Sequence, residues 1–409
     1  MEVLLNPHLL EAICQFQTGV FSDLAPLPFQ AIGRDACFAY KSAPRLHYQR
    51  FVADIDAKFT PWLKEHSIRD MRRLVQCVNH LEIAIVAYAA KYGKMDVLRC
   101  FQQSLHLHPF LLELAASSGH SDVVAYLMEQ EYKTCTKFAL DTAARRGHLD
   151  VVQLLHDRLT APCTTDAFDW AAINGHLTTV QFLATRRTEG CTHWAFDMAA
   201  ANGHLEVVRY LHSIGVPCTT HAMNHAARCG HLQVVRFLDE NRLEGCTTSA
   251  MDWAAANGHL KVVKFLHYNR REGCSKRAMD DAASCGHLET VRFLHFYRSE
   301  GCTKYAMDHA AGQGHIEVVR FLHMNRTEGC SSRAFFEAKQ NGHKAVEEYL
   351  WSTGLWSWGL CLEMLFWRIK PTKSIDGNDD IIVDEKPEPS AKTKTSQPSS
   401  HQLSSAQEL

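Results

Sequence analysis

The stretch AMDWAAANGHLKVVKFLHYNRREGC, residues 250–274, has the apolar spacing of two short helices and also carries histidine, cysteine, aspartate and tryptophan. Nearly the same stretch recurs along the chain, aligned on the dipeptide Gly-His, at intervals of 28 residues with a single interval of 27. Residues 87–101 fit the same template, with a lysine in place of the histidine. This period predicts a solenoid of about ten units over residues 83–353, because no unit can bury its apolar face alone. The glycines of the dipeptide are Gly119, Gly147, Gly175, Gly203, Gly230, Gly258, Gly286, Gly314 and Gly342.

Within one unit, the pattern predicts two helices joined at a glycine. Thr303 is placed to cap the first helix, and Gly314 follows that helix at a position suited to a left-handed turn. The first helix has a narrow face of small and apolar residues, which are Ala306, Met307, Ala310 and Ala311. The second helix is apolar around most of its circumference, at Ile316, Val318, Val319, Phe321 and Leu322. We therefore expect the second helix to be buried on several sides.

These residues resemble the ankyrin repeat. The segment AAANGHLEVVRYL, residues 199–211, is similar to the family's Ala-Ala-x-x-Gly-His-x-x-Val-Val-x-x-Leu stretch, and it recurs in register over about two thirds of the chain. The resemblance implies an all-α, ankyrin-like solenoid of about ten stacked helix-turn-helix repeats that binds other proteins. The family's repeat has about 33 residues. The shorter period here predicts hairpin fingers reduced to tight turns, as in NRTEGC at residues 325–330.

Composition restricts the class of partner and the compartment. The 409 residues include 43 basic and 45 acidic side chains, and this balance predicts no nucleic-acid ligand. The first residues have no basic group ahead of their apolar residues and contain Pro7, which argues against a secretory signal. The 15 cysteines are odd in number, and eight recur at one spacing, which indicates free thiols in a reducing compartment. We expect a cytoplasmic monomer without a membrane span.

The recurring histidines and cysteines are interpreted as structural. Equivalent residues in stacked units lie roughly 8–10 Å apart, so the Gly-His histidines cannot converge on a metal ion and neighbouring cysteines cannot form disulfides. We expect each histidine to bond loop backbone at the start of the second helix, and each cysteine to be a small buried side chain before an N-cap. The cysteines are Cys135, Cys163, Cys191, Cys218, Cys246, Cys274, Cys302 and Cys330.

Two charged columns recur as well. An aspartate column stands where the family has a motif histidine, and it predicts an inter-repeat hydrogen bond; an acidic binding stripe is the alternative. Its members are Asp141, Asp169, Asp197, Asp252, Asp280 and Asp308, with Asn224 and Glu113 at two further positions. An arginine column is followed two or three residues later by glutamates, which predicts a solvated face whose charges largely cancel. These residues are Arg186, Arg242, Arg270, Arg298 and Arg326, followed by Glu189, Glu244, Glu272, Glu300 and Glu328.

Enzymatic motifs are absent from the sequence. It contains no His-Glu-x-x-His, no Gly-x-Ser-x-Gly and no phosphate-binding Gly-x-x-x-x-Gly-Lys. The candidate for chemistry is the pair His221 and His225, four residues apart on a predicted helix, with His193 one unit earlier. A metal-binding sensor or enzyme built on this pair is an alternative function, but it lacks an evident third ligand. We therefore predict no catalysis, no metal site and no cofactor.

The flanking regions lack the period. Residues 1–82 are predicted to form an N-terminal helical capping region. Within them, residues 25–40 are similar to the start of an F-box, and this similarity suggests a ubiquitin-ligase substrate adaptor as an alternative function. Residues 354–370 are rich in tryptophan and predict a C-terminal helix that caps the repeat array of residues 83–353 or docks to a partner or membrane surface. Residues 371–409 are polar and predict a disordered tail.

The predicted function is that of a scaffold or adaptor that binds a protein partner of unknown identity on the concave face of the solenoid. Two positions in each first helix, four residues apart, vary between repeats and share one outward stripe. Large exposed aromatic side chains are typical of binding hot spots. For two of the tryptophans, at positions 170 and 253, packing against adjacent first helices is the alternative. The predicted partner-binding residues are Phe138, Trp170, Trp194, Met198, His221, His225, Trp253, Tyr305 and His309.

Overall fold

The computed structural model describes Pro61 and residues 67–77, 81–107, 110–130, 137–158 and 163–355. Within these ranges the chain forms 21 α-helices, a 3₁₀ helix at Gln102–Leu107 and no strand. In chain order the α-helices are α1 (Ile68–Cys77), α2 (Leu81–Lys91), α3 (Met95–Cys100), α4 (Leu111–Ser118), α5 (Ser121–Glu129), α6 (Lys137–Arg146), α7 (Leu149–Arg158), α8 (Thr165–Ile173), α9 (Leu177–Arg186), α10 (His193–Ala201), α11 (Leu205–Ser213), α12 (Thr220–Arg228), α13 (Leu232–Asn241), α14 (Thr248–Ala256), α15 (Leu260–Asn269), α16 (Lys276–Ser284), α17 (Leu288–Tyr297), α18 (Lys304–Gly312), α19 (Ile316–Asn325), α20 (Ser332–Gln340) and α21 (Lys344–Ser352).

The helices after α1 form ten pairs, numbered here as repeats 1–10, from α2 and α3 in repeat 1 to α20 and α21 in repeat 10. The first helix of each repeat packs against the first helices of its neighbours, and from α5 onward the second helices also pack against each other. The predicted all-α fold of stacked helix pairs is confirmed. The domain boundaries stay predictions, and residues 1–60, 62–66 and 356–409 lie outside the described part of the chain.

From α8 onward, each first helix begins after a hydroxyl cap and is followed by a left-handed glycine. Thr303 Oγ1 accepts a hydrogen bond from the amide of Tyr305 at 3.1 Å, which confirms the predicted cap of α18. After this helix, Gly314 has a φ of 82°, and the amide of His315 donates to the carbonyl of Ala310 at 2.8 Å. This six-residue closure is the Schellman pattern that glycine permits without strain. The predicted glycine turn is confirmed.

The core follows the two predicted apolar patterns. In α14, the alanines at positions 250, 254 and 255 are fully buried, and their small side chains let neighbouring first helices approach closely. In α15, Val262, Val263 and Leu266 are buried, and this helix packs against the first helix of its own repeat and the second helices of adjacent repeats. Burying one such valine or leucine contributes about 1.5–3 kcal/mol. Each repeat therefore depends on its neighbours for stability.

Each finger, defined as the connection between a second helix and the next first helix, is short. Between α15, which ends at Asn269, and α16, which begins at Lys276, the chain makes a turn that contains Gly273 with a φ of 74°. The described fingers contain no strand. The expected reduction of the hairpins to tight turns is confirmed for these connections.

Candidate partner-binding surface

The aspartate column joins each repeat to the next. Asp169 accepts a hydrogen bond from the amide of Thr192 at 2.9 Å and another from its hydroxyl at 2.6 Å. Thr192 caps α10, so the carboxylate holds the residue that starts the next first helix. The predicted inter-repeat bond is confirmed, and the alternative of an acidic binding stripe is wrong because these carboxylates are buried. The same pair of bonds is made by Asp141, Asp197, Asp252, Asp280 and Asp308.

An amide replaces the carboxylate at one junction. Asn224 Oδ1 accepts from the amide of Thr247 at 3.0 Å, as the carboxylates do elsewhere. Asn224 Nδ2, however, donates to Thr247 Oγ1 at 3.0 Å, so the threonine hydroxyl is an acceptor where the other junctions use it as a donor. This junction between repeats 6 and 7 lacks the charge-assisted bond of the others.

The Gly-His histidines also join neighbouring repeats. His120 Nε2 donates to the carbonyl of Lys91, at the end of the preceding repeat's first helix, over 2.9 Å. Each ring also lies over the corresponding glycine of the preceding repeat. For example, a Cβ on Gly258 would be 2.6 Å from His287 Nδ1. The structural interpretation is confirmed. The expected bond to loop backbone at the start of the histidine's own helix is wrong, because the ring reaches the preceding repeat instead.

Burial also affects the charge of three of these histidines. It lowers the pKa of His148, His204 and His315, and it outweighs the opposing effect of the carbonyl that each ring bonds. The neutral imidazole is therefore the form that the fold favours. A neutral ring with its proton on Nε2 is the form that can donate to a carbonyl and leave Nδ1 uncharged against the glycine.

The arginine and glutamate columns form ion pairs at the fingers. Arg270 Nη2 lies 2.5 Å from Glu272 Oε1, and the same oxygen accepts from the amide of Cys246 in the preceding finger at 3.4 Å. The prediction of a solvated face is wrong, because only 23% and 26% of the two charged side chains are exposed. The assignment of Arg186 to this column is also wrong, since Arg187 forms the pair with Glu189.

These ion pairs set the protonation states around the fingers. Burial opposes ionisation of Glu272, but the hydrogen bonds and charge of Arg270, together with bonds from backbone amides, outweigh it and lower the pKa of this carboxyl to about 2. Burial raises the pKa of the Cys246 thiol to about 12. The cysteines of the column from Cys163 to Cys330 are free thiols that are buried or half-buried, which confirms their predicted packing role. Cys135 lies outside the described residues.

With these columns assigned to the scaffold, the variable positions remain for binding. They are the second and sixth residues of the first helices and are called the first-helix stripe from here on. Trp194 is 56% exposed, Tyr305 49% and Trp170 38%, and His221 is also exposed. The half-buried members are Phe138, Met198, His225, Trp253 and His309. The structure thus places every predicted binding residue on equivalent faces of successive first helices.

Some members of the first-helix stripe contact each other. The ring centroids of Tyr305 and His309 are 3.8 Å apart within α18. Those of His225 and Trp253 are 5.3 Å apart across two repeats, and the Arg228 guanidinium lies 5.8 Å from the Trp253 ring. Trp253 therefore packs against the preceding first helix, as the alternative interpretation predicted, and offers a partner only part of its ring.

Sequence reasoning missed a second set of exposed apolar side chains, at the ends of the second helices in repeats 7–9. Tyr268, Phe296 and Met324 are 67%, 67% and 73% exposed. Repeats 5 and 6 place Ser213 and Glu240 at the same position. The signal was a change from polar to apolar at one position in three consecutive repeats.

The alternative of a metal site gains no third ligand. His221 and His225 lie with their ring centroids 5.8 Å apart. Among the residues that the structure describes, no group of three histidine, cysteine, aspartate or glutamate side chains is arranged to hold a metal ion. In the same ranges, every helix is too short or too polar to cross a membrane.

Two protein-family models match this chain. The model described as ankyrin repeats (3 copies) matches residues 112–197, 142–219 and 196–280, and the model described as ankyrin repeats (many copies) matches residues 279–323. Together the matches cover more than half of the 409 residues. A search of curated proteins finds no match. Ankyrin repeats are protein-protein interaction modules. The chain belongs to the ankyrin repeat family.

Proposed function

We propose that this chain is a scaffold or adaptor that binds one protein partner along the first-helix stripe. One observation carries the proposal. The polar columns that recur with few exceptions are buried or half-buried and bonded between repeats, whereas the stripe varies from repeat to repeat and exposes large aromatic side chains such as Trp194 and Tyr305. A repeat protein acquires specificity when side chains vary on a constant scaffold.

The chemistry of the stripe favours a protein over a small molecule. Its exposed members follow each other over several repeats, and a linear surface of this kind suits an extended or helical segment of a partner. Tryptophan and tyrosine are enriched among binding hot spots because each buries a large rigid area. Repeat 8 contributes Arg277 and Asp281 at the equivalent positions, so the partner meets aromatic and charged groups in turn.

The proposal includes no catalytic step, no cofactor and no nucleic-acid ligand, and it treats the chain as a monomer in the cytoplasm. The nearly balanced charge supports the absence of a nucleic-acid ligand. The free thiols of the finger cysteines support a reducing compartment. The adaptor alternative depends on the F-box-like residues 25–40, which lie outside the described residues. Identification of a ubiquitin-ligase subunit among the bound proteins would support it.

The test begins with capture of partners on the full chain and continues with binding of a purified partner. Trp194→Ala should weaken binding roughly 30-fold, the equivalent of a hot spot of about 2 kcal/mol. Its unfolding midpoint should change little, because more than half of the ring is already exposed. Phe296→Ala is the matched control, since this ring is at least as exposed but lies on a second helix. Loss of binding in Phe296→Ala with full binding in Trp194→Ala would move the site to the second helices.

A further inference from the structure

A cavity of about 350 Å³ lies between repeats 4 and 5. Its volume is more than twice the roughly 150 Å³ of an engineered cavity that holds benzene. Most of its wall is apolar, and polar groups of the adjoining finger also line it. The apolar wall is formed by Phe168, Leu183, Ala184, Tyr210 and Ile214.

The first cause of the cavity is a missing ring in the last turn of α9. At the corresponding position of other second helices, a histidine packs edge-on against an aromatic ring of the next repeat, as His267 does against Phe293 with 5.4 Å between centroids. Ala184 stands at this position in repeat 4, so a methyl group faces Tyr210 where a ring is usual. Repeat 6 also lacks the histidine, but its Asp239 forms an ion pair with an arginine of the next finger. The histidines of this column are His156, His212, His267, His295 and His323.

The second cause is a missing ion pair in the finger after α11. At three later junctions, the arginine of a finger covers the glycine of the preceding finger: a Cβ on Gly273 would lie 2.5 Å from Arg298 Nη2. In the same way, Gly245 meets Arg270 and Gly301 meets Arg326. The finger after α11 is one residue shorter and has Ile214 and Val216 where arginine and glutamate stand elsewhere. Accordingly, a Cβ on Gly190 would meet no atom within 4 Å.

Both departures affect the same place, because Ala184, Gly190 and Ile214 line one cavity. From this coincidence we infer that the cavity receives one bulky apolar side chain, aromatic or branched aliphatic, from a protein partner. The inference does not depend on the first-helix stripe, since the cavity is built from α8, α9, α11 and the finger after α9.

The charged groups that line the cavity argue for an apolar occupant. Arg187 and Glu189 are bonded to each other at 2.5 Å, and Glu189 also accepts from the amide of Cys163 at 3.1 Å. Arg187 further donates to His156 Nδ1 at 3.3 Å. A polar ligand would have to compete with these bonds, whereas an apolar side chain would gain by leaving water without disturbing them. Anchor residues of this kind fill pockets at the centre of many protein interfaces.

The direct test uses indole, the ring of tryptophan, as a probe of the full chain with ¹³C-labelled methyl groups. Indole should shift the methyl signals of Leu183 and Ile214 in a saturable manner. In Ala184→His, the imidazole is expected to fill the space. The affinity for indole, measured from these shifts, should fall by about tenfold or more. Glu240→His is the matched control, because it adds the same ring at an exposed end of α13 and should leave indole binding unchanged.

Folding of Ala184→His should be preserved, because five other second helices carry histidine at this position. Should it fail to fold, Ala184→Leu fills the same space with an apolar group and serves as the second variant. Shifts that are absent in the unaltered chain, or that persist undiminished in a folded cavity-filled variant, refute the inference.

A second experiment identifies the source of the side chain. A displayed library of random peptides is selected on the full chain after removal of all peptides that bind Ala184→His. The enriched peptides should share a bulky apolar residue whose replacement by alanine abolishes binding. Enrichment of peptides without such a residue, or of none, contradicts the inference. Native mass spectrometry that finds a small molecule co-purified with the unaltered chain but not with Ala184→His would also overturn it and assign the cavity to a metabolite.

Discussion

Repeats 7–9 and repeats 4–6 have the same fold but differ in how completely their junctions are bonded. In repeats 7–9, every aspartate position holds a carboxylate, every finger holds an arginine-glutamate pair, and every second helix ends with the packed histidine. In repeats 4–6, each column loses a member, at Ala184, Ile214, Asn224 and Asp239. The Gly-His histidine is present in all six repeats.

The difference shows that no single bond holds a junction together. The junction between repeats 4 and 5 keeps the bonds of Asp169 although it lacks the ring at position 184. Several weak and separate bonds across one interface leave room for loss at one position without unfolding. The cavity lies where residues of these columns are missing. Departures from the repeat pattern therefore help to locate candidate binding sites.

The largest effect should come from the glycine turn, which both regions share. Gly258→Val places a β-branched side chain at a φ of 71° and drives its Cβ against His287, so we expect a loss of about 3 kcal/mol in the free energy of unfolding. Gly342→Val is the control, because Gly342 has a φ of 76° but no atom within 4 Å of the added Cβ. Urea unfolding measures both. Equal losses would show that backbone strain alone matters and that the histidine contact between repeats does not.

The next effect concerns the carboxylate junctions of repeats 7–9. Asp280→Ala removes the buried acceptor of the Thr303 amide and hydroxyl, and it should cost about 2 kcal/mol because two bonds between repeats are lost together. Asp281→Ala, one residue later on the same helix, is the control and should cost little, since burial and the neighbouring Asp280 raise the pKa of Asp281 and disfavour its charge. Thermal unfolding of the two variants should separate them clearly. Similar midpoints would contradict the assigned role of the aspartate column.

Acid should weaken the two regions alike. The pKa of His204, in repeat 5, and that of His315, in repeat 9, are both lowered from 6.5 by burial, so the folded chain binds protons less readily than the unfolded chain. The stability that these neutral rings contribute is present above about pH 6.5 and is lost as the pH falls toward the lowered values. Hydrogen exchange at pH 7.5 and pH 5.5 measures the effect in each repeat. Faster exchange at pH 5.5 in only one of the two regions would contradict this prediction. His204→Gln keeps a hydrogen-bond donor but does not titrate, so it should reduce the acid-induced increase in exchange around repeat 5.

The smallest effect should come from repairing a departure. Asn224→Asp restores the carboxylate, so Thr247 can donate its hydroxyl to it, as at the other junctions, while it still accepts from the amide of Ser249. We expect a gain of about 0.5 kcal/mol, because the charge-assisted bonds are partly offset by burial of the charge. Asp252→Asn, the reverse change at the next junction, should produce a loss of similar size. A loss in both variants would indicate that each junction is adapted to its own residue.

The sequence alone was sufficient for the fold and for much of the scaffold. The Gly-His dipeptide recurs every 28 residues with alanines before it and valines after it, and this pattern predicts a helix, a turn and a second helix. At the ends of α18, Thr303 caps the helix and Gly314 takes the left-handed conformation, as expected for a threonine and a glycine. The aspartate column was predictable because a carboxylate that recurs in most repeats on a small-residue face needs a partner in the neighbouring repeat.

The features that the sequence did not predict depend on which side chains the folded chain brings into contact. Arg186 and Arg187 are adjacent in sequence, and only the direction of the chain after α9 brings the second of them to Glu189. The burial of Trp253 depends on the ring of His225 in the preceding repeat, which a pattern within one helix does not reveal. Ala184 was visible as an exception, but its meaning requires Tyr210 opposite it and the short finger beside it.

The bonds between repeats also bear on how the chain emerges during synthesis. The aspartate and histidine bonds join residues 22 to 31 positions apart, so a repeat lacks its partners until the next repeat has been made. At roughly 5–20 residues per second, that delay lasts about 1–6 s for each repeat. Arrested nascent chains of increasing length should therefore become resistant to protease one repeat behind the last complete helix pair. We expect the newest repeat outside the ribosome to be the least stable part of the growing chain at every stage.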